Sequence, residues 1–375
     1  MHRRRFYFVE PSKVGDQHIT LIEGYLRALL QSAAVNGSFE LVFGASPSTF
    51  ASLPADMRRE VKHEPVPVMN PERRRLARKT FVEFVVVVKY LMRLRAGDVL
   101  FVSCVLPTTL LFLELLNRWF KRKFFVVLHG EIEGLFDPSS QRVTSFGFWA
   151  SQWLKRRGAA STIKIVVIED FIMRRLLDAY PEKFTDANVF VVHHPIHAMD
   201  PGQSPTRGRI AVCFVGYRTR HKGFDSFVQL SEAVTDVDFL AIGNRTVQNV
   251  RSGEVRSIAG GDYGYLREIA QCAAAIFPYS AGYTCSLSAA ALDALAAGVH
   301  IVATNRPCFV SLREHFGAAA ITVVDSMSDT IVLLKSAAWL KENLARRSQR
   351  RAAVLSSRFG LSSVKGEFER LVSSA

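Results

Sequence analysis

Short runs of β-branched and aromatic residues recur along this chain, and between them apolar positions fall at helical spacing. Residues 6–9, 39–43, 99–103, 124–128, 163–168 and 189–192 are short, predominantly apolar runs of strand length that read as buried strands of a parallel sheet. Between the first two, Ile22, Tyr25, Leu26, Leu29 and Leu30 line one helical face, and similar faces predict helices over 81–94 and 109–120. Strand and helix therefore alternate, as in a doubly wound α/β fold.

The alternation stops at 197–208, where Pro201, Gly202, Pro205 and Gly208 replace the apolar periodicity. A second series follows, with strands expected at 210–215, 237–242, 274–277, 300–303 and 321–324 and helices at 224–234, 264–272, 287–297 and 327–354. The expected organisation is a Rossmann-like domain over 1–197, a linker over 198–208, a second such domain over 209–360, and a terminal helix over 361–375. Val364, Phe368 and Leu371 share one face of that last helix, which suits packing across either domain.

Composition agrees: 375 residues, 49% hydrophobic and 22% charged, exclude a disordered chain, a coiled coil and a single small module. Cys104, Cys213, Cys272, Cys285 and Cys308 lie far apart, with no C-x-x-C pair, so the sequence suggests no metal site and a reducing, cytoplasmic setting. The apolar run after the basic start is too short for a signal peptide, and charges interrupt the greasiest stretches, so no spanning helix is expected.

Two stretches carry candidate chemistry. In 279–298 a small-residue loop leads into an alanine-rich helix expected to begin near Ser286 and to stop at Gly298. Free amides at a helix start, beside the hydroxyls of Thr284, Ser286 and Ser288, suit a diphosphate; the same residues also serve as ordinary caps. Asp293 sits further along that helix, suited to vicinal ribose hydroxyls. In 214–227 Gly216 lets the backbone turn close to a ligand, and Arg218, Arg220 and Lys222 put positive charge at the end of a strand, where open α/β sheets bind ligands.

These stretches and their order resemble the C-terminal domain of retaining GT-B glycosyltransferases, enzymes with two Rossmann-like domains facing across a cleft. The resemblance rests on Phe214-Val-Gly216, Lys222-Gly223, Ala241-Ile-Gly-Asn244, Ile276-Phe-Pro-Tyr279, Leu292-Asp293 running to Gly298, and Val302-Ala-Thr304. It implies transfer of a sugar from a UDP- or GDP-sugar to a hydroxyl of a glycan or lipid-linked acceptor, probable retention being part of what the family implies. It assigns donor contacts to Gly216, Tyr217, Asn244, Tyr265, Thr284, Cys285, Ser286, Leu287, Ser288 and Asp293, with Lys222, Arg218 and Arg220 stabilising the leaving diphosphate. In the N-terminal half, His129 before Gly130 falls where relatives place a histidine near sugar and acceptor, and Gly15 and His18 fall at the acceptor-side loop.

The chain departs from the pattern in three places: eight residues before Asp293 the usual acid is Cys285, the usual arginine after Gly216 is Tyr217, and the usual double glycine is Gly15 alone. No cofactor and no metal are expected. Asp236 and Asp238 fall at the start of a strand, the wrong end of the sheet for a metal beside the ligand, so cations and helix amides would take that role.

Lysine and arginine number 48 against 34 acids, a net charge of +14. Basic clusters at Arg3–Arg5, Arg73–Lys79, Arg118–Lys123 and Lys155–Arg157 adjoin the aromatics Phe6, Phe81, Trp119, Phe120 and Trp153, which suits peripheral contact with an anionic membrane, expected at the inner face of the cytoplasmic membrane. The chain shows no nucleic-acid motif, and no nucleic-acid partner is expected. A non-catalytic nucleotide- or glycan-binding protein of this fold, encouraged by Cys285, stays open beside the enzyme, as does nucleic-acid binding on charge alone.

Overall fold

The computed structural model describes residues 3–15, 18–32, 35, 37–68, 76–136, 145–196, 209–243, 246–258 and 261–374. Two compact units emerge: Met1–Pro195 with Cys285–Leu287 and Leu361–Ala375, and Ile196–Thr284 with Ser288–Gly360. The expected linker over 198–208 lies outside the described residues.

In the first unit, β1 (Arg4–Val9), α1 (Ile19–Gln31), β2 (Phe39–Ala45), α2 (Pro47–Ser52), α3 (Ala55–Glu60), β3 (Lys62–Pro65), α4 (Leu76–Arg93), β4 (Val99–Val102), α5 (Pro107–Phe120), β5 (Phe124–Leu128), α6 (Phe146–Arg156), β6 (Ile163–Val167), α7 (Asp170–Ala179) and β7 (Val189–Val191) follow in turn. The strands make one parallel sheet in the order β3-β2-β1-β4-β5-β6-β7. Phe8, Tyr25 and Phe101 are fully buried; the Phe8 and Phe101 rings stack at 5.4 Å. Truncating such a ring costs about 3–5 kcal/mol.

The second unit holds β8 (Ala211–Val215), α8 (Phe224–Ala233), β9 (Asp238–Ile242), β10 (Thr246–Asn249), β11 (Val255–Ser257), α9 (Gly261–Ala270), β12 (Ala274–Phe277), α10 (Ala289–Ala296), β13 (His300–Thr304), α11 (Pro307–Phe316), β14 (Ile321–Val324), α12 (Met327–Lys335), α13 (Ala337–Ala345) and α14 (Arg347–Leu355). Its sheet runs β11-β10-β9-β8-β12-β13-β14, parallel except for β10, which is antiparallel to β9 and β11. Phe214, Phe227, Phe239 and Ile276 lie in its core.

Three differences from the sequence reading have local causes. The expected helix over 327–354 is three helices, because the Ser336 hydroxyl caps the amide of Trp339 and a new helix starts there. The β10–β11 hairpin and β3 went unread because their positions are polar and largely open to solvent; β3 and β11 are edge strands, and β11 is exposed throughout. The last helix, α15 (Leu361–Ser373), packs on the first unit, where Phe368 meets Tyr25 at 5.2 Å and Glu367 accepts from the His193 amide at 2.8 Å.

Candidate functional site

In both sheets the connections reverse direction beside the first strand, β1 in one unit and β8 in the other, and open α/β sheets bind ligands beyond the strand ends at that point. The second unit builds this place from glycine and lysine. Gly216, just past β8, has φ +102°, and a Cβ there would stand 3.5 Å from both the Lys222 Nζ and the Ala290 side chain. A tight turn over Arg220–Lys222 leads to Gly223, at φ +69°, where a Cβ would fall 1.8 Å from the Pro278 carbonyl. Only glycine admits that approach.

Lys222 is half-buried, its ammonium 5.7 Å from the Tyr279 ring centre. Burial lowers its pKa, and the Asp293 carboxylate pulls the other way. Asp293 accepts from the Tyr265 hydroxyl at 3.4 Å. Burial, then the Asp293 charge, raises the Tyr265 pKa well above its ordinary value.

Helix α10 begins at Ala289, three residues later than expected, because Ser288 is its cap: the Ser288 Oγ accepts from the Ala291 amide at 3.3 Å and bonds the Tyr279 hydroxyl at 2.9 Å. The Tyr279 contact selects Ser288 over Ser286, either of which is a competent cap. The amides at the helix start are therefore those of Ala289 and Ala290, which find no backbone acceptor among the described residues. Gly298, at φ +74°, ends the helix as expected.

Of the three basic residues read from the sequence, Lys222 is the one beside Gly216 and α10. The Arg218 guanidinium bonds the Gln248 side chain and the Ala241 carbonyl and lies over the Phe224 ring, so it braces the sheet rather than facing the loop. Arg220 is exposed and lines a separate cavity of about 410 Å³ with Pro278, Tyr279 and Thr304. Tyr217 is 69% exposed, Thr284 half-buried, and Asn244 lies outside the described residues.

The corresponding place in the first unit is held by two buried glutamates that the sequence reading missed. Glu10 accepts from the Ser12 and Lys13 amides, both at 2.9 Å, and from the Ser103 hydroxyl at 2.7 Å. Glu83 accepts from the Ser12 hydroxyl, the Leu106 amide and the Thr109 hydroxyl at 2.7–2.9 Å. Burial raises both pKa values against these bonds. The loops after β1 and β4 are thereby fixed, and the Ser103 carbonyl accepts from His129 Nε2 at 2.8 Å. A carbonyl cannot donate, so Nε2 carries the proton and Nδ1 the lone pair when His129 is neutral.

His18 lies against it, ring centres 4.9 Å apart. It takes a left-handed backbone, φ 59°, at the start of α1, and burial followed by the neighbouring His129 lowers its pKa well below the usual histidine value. Gly15 precedes it at φ +65°, its amide 3.3 Å from the Ser48 hydroxyl.

After Gly130 a single turn over Gly130–Leu135 presents Glu133. Its carboxylate accepts from the Cys285 amide at 2.9 Å and the Ser286 hydroxyl at 2.6 Å. Gly130 lies close beside it: a Cβ there would stand 3.3 Å from the Ser286 Oγ, a tight contact. Burial, then the Glu133 charge, pushes the Cys285 thiol up to about 12, which keeps it protonated. The Ser286 hydroxyl, expected to face a phosphate, thus holds a carboxylate together with the Cys285 amide; Leu287 is buried. Only the position of Glu133 just beyond a strand-end His-Gly signals it in the sequence.

Two doubly wound sheets place the chain among paired Rossmann-like proteins. No protein-family model and no curated protein matches it. Solved structures do, over nearly the whole chain. WaaG, a glycosyltransferase involved in lipopolysaccharide biosynthesis, matches with a TM-score of 0.66 at 14% identity over 99% of this chain and 100% of its own. HepE of Anabaena, solved with UDP-glucose, matches with 0.65 at 12% identity over 100% of both chains. Sucrose-phosphate synthase of Thermosynechococcus elongatus gives 0.66 at 12% over 98% of each. The fold is the GT-B fold of those glycosyltransferases. At such identities the likeness is one of fold.

Proposed function

We propose that this protein is a glycosyltransferase that takes a sugar from a UDP- or GDP-sugar and passes it to a hydroxyl of a glycan or lipid-linked acceptor. One observation carries the reading: the Lys222 ammonium, the Gly216 backbone and the first turn of α10 meet at the end of β8. A half-buried cation beside two uncapped amides is a diphosphate site. Asp293 suits the ribose hydroxyls, and the exposed Tyr217 ring suits the base. The UDP-glucose complex of HepE supports a nucleotide-sugar donor for this fold.

The reaction breaks the bond between the sugar's anomeric carbon and the phosphate oxygen. Charge grows on the departing diphosphate, where Lys222 and the α10 amides stabilise it. In the retaining course the acceptor hydroxyl attacks from the same face, and its proton passes to the departing phosphate oxygen. Positive charge grows on the sugar ring. The resemblance implies a carboxylate for it at position 285, where this chain has the Glu133 carboxylate against the Cys285 amide and the Ser286 hydroxyl. Lys222 and the amides serve in place of a metal; Asp238 pairs with Ala211, at the opposite end of β8 from Gly216.

Peripheral membrane contact belongs to the same proposal, on a corrected set of residues. Phe6, Trp153 and Arg157 are buried, Arg157 in an ion pair with Glu114 at 3.4 Å, and 71–75 lie outside the described residues. Phe81, Met92 and Trp119 are 65%, 64% and 87% exposed on the adjoining helices α4 and α5, near Lys89, Arg118 and Lys121. No helix among the described residues is long and apolar enough to cross a membrane.

Cys285 favours a second reading, a nucleotide-binding protein without catalysis. Both readings expect UDP or GDP to raise the melting temperature saturably. Release of UDP or GDP from a sugar nucleotide separates them, and no response to any nucleotide overturns both.

A further inference from the structure

We infer that His18, Cys104 and His129 form a binding site for a borderline-soft divalent cation of the zinc class. The three residues come from different connections, α1's start and the ends of β4 and β5, and their ligand atoms lie within 4.8 Å of one another. Two imidazoles on one tetrahedral zinc, each bonded at about 2.05 Å, place their ring centres roughly 5 Å apart. The observed separation is 4.9 Å. Tetrahedral zinc holds such ligand atoms roughly 3.3–3.6 Å apart, so they close by up to about 1.5 Å on binding.

The hydrogen bonding favours a metal over an internal pair. His18 Nδ1 is buried with no hydrogen-bond partner among the described residues, an orphan that a cation would satisfy. His129 bonds a backbone carbonyl through Nε2, as metal-binding histidines commonly do through one ring nitrogen. Cys104 is buried and adds a thiol, so the set is two nitrogens and one sulfur, which suits zinc or cobalt and not magnesium or calcium. On binding, the Cys104 S–H gives its proton to solvent and the thiolate sulfur bonds the cation; a water completes four-coordination.

The site stands apart from the donor reading and is tested without turnover. Reduced, chelator-treated full-length protein is titrated with Co²⁺ and then with Zn²⁺. One equivalent of Co²⁺ should give intense tetrahedral visible bands and a near-ultraviolet thiolate-to-cobalt band, both displaced by Zn²⁺. Cys104→Ser should lose the thiolate band, and His18→Ala should weaken Zn²⁺ binding by at least 10-fold, while Cys285→Ser keeps both signals. Circular dichroism melting confirms that each variant folds. A weak octahedral spectrum, or bands unchanged in Cys104→Ser or His18→Ala, overturns the site. A UDP melting shift measured on the same samples reports the donor reading independently.

Discussion

Replacing Lys222 by methionine keeps an unbranched apolar stem and removes the ammonium that lies 5.7 Å from the Tyr279 ring centre. If that ammonium makes one charge-assisted hydrogen bond to a donor phosphate, its loss costs about 1.5–3 kcal/mol. The nucleotide dissociation constant then rises roughly 10- to 150-fold. At a UDP concentration of about 100 times the wild-type constant, binding stabilises the native protein by about 2.7 kcal/mol. A 30-fold weaker variant retains about 0.9 kcal/mol at the same concentration. With about 2–4 °C per kcal/mol for a unit of this size, the melting shift should fall from roughly 5–10 °C to about 2–4 °C. Scanning fluorimetry with UDP and GDP measures this directly. Arg218→Ala is the control, because its guanidinium is committed to Gln248 and Ala241, and it should leave the shift within about 1 °C of wild type. A full shift in Lys222→Met, or its disappearance in Arg218→Ala, refutes the assignment of the cation.

Glu133→Gln should keep the UDP melting shift while sugar release from a sugar nucleotide falls on the order of 100-fold, because it removes a charge that matters when the ring becomes cationic; equal turnover in both proteins sinks the role given to Glu133. His193 predicts a pH dependence of folding. Burial lowers its pKa, but the carboxylates of Asp170 and Glu367 raise it further, to about 9. The contribution is complete below about pH 6.5 and is lost as pH rises through 9, at most about 3 kcal/mol. Urea unfolding at pH 6 and pH 9.5 should show that loss, and Glu367→Gln should flatten it; an unaltered slope in the variant contradicts the pairing. For the membrane face, sedimentation with anionic but not neutral vesicles should weaken several-fold in the Phe81→Ser, Trp119→Ser double variant, and equal binding to both vesicle types would count against it.

Much of the scaffold was legible in the sequence. The strand runs 124–128 and 274–277 coincide with β5 and β12, because strands covered on both faces are apolar at every position, and 321–324 coincides with the edge strand β14, three of whose four residues are apolar. Strands open to solvent obey no such demand, and β3, β10 and β11, with their polar and partly or wholly exposed positions, were missed for that reason. Of the candidate site, Gly216, Lys222 and Asp293 were readable because one strand-loop-helix connection supplies each local pattern. Arg218 was misread: its partner Gln248 sits on an unpredicted strand. Trp153 and Arg157 were taken for surface, although Arg157 pairs with Glu114 and lies 5.7 Å from the Trp153 ring.

What the chain alone determined is the periodicity: which segments are strands, which are helices, and where glycine must stand so that backbones can touch. Hydrogen bonding and side-chain volume act over a few residues, so their traces survive in a linear string. The pairing of Glu133 with Cys285, of Glu10 with Ser103, and of His18 with Cys104 and His129 joins residues 93 or more positions apart in the first two cases and crosses two connections in the third. Nothing local marks such meetings. Sheet order alone brings those strand ends together, and only there do the charges and lone pairs acquire the neighbours that give them their chemistry.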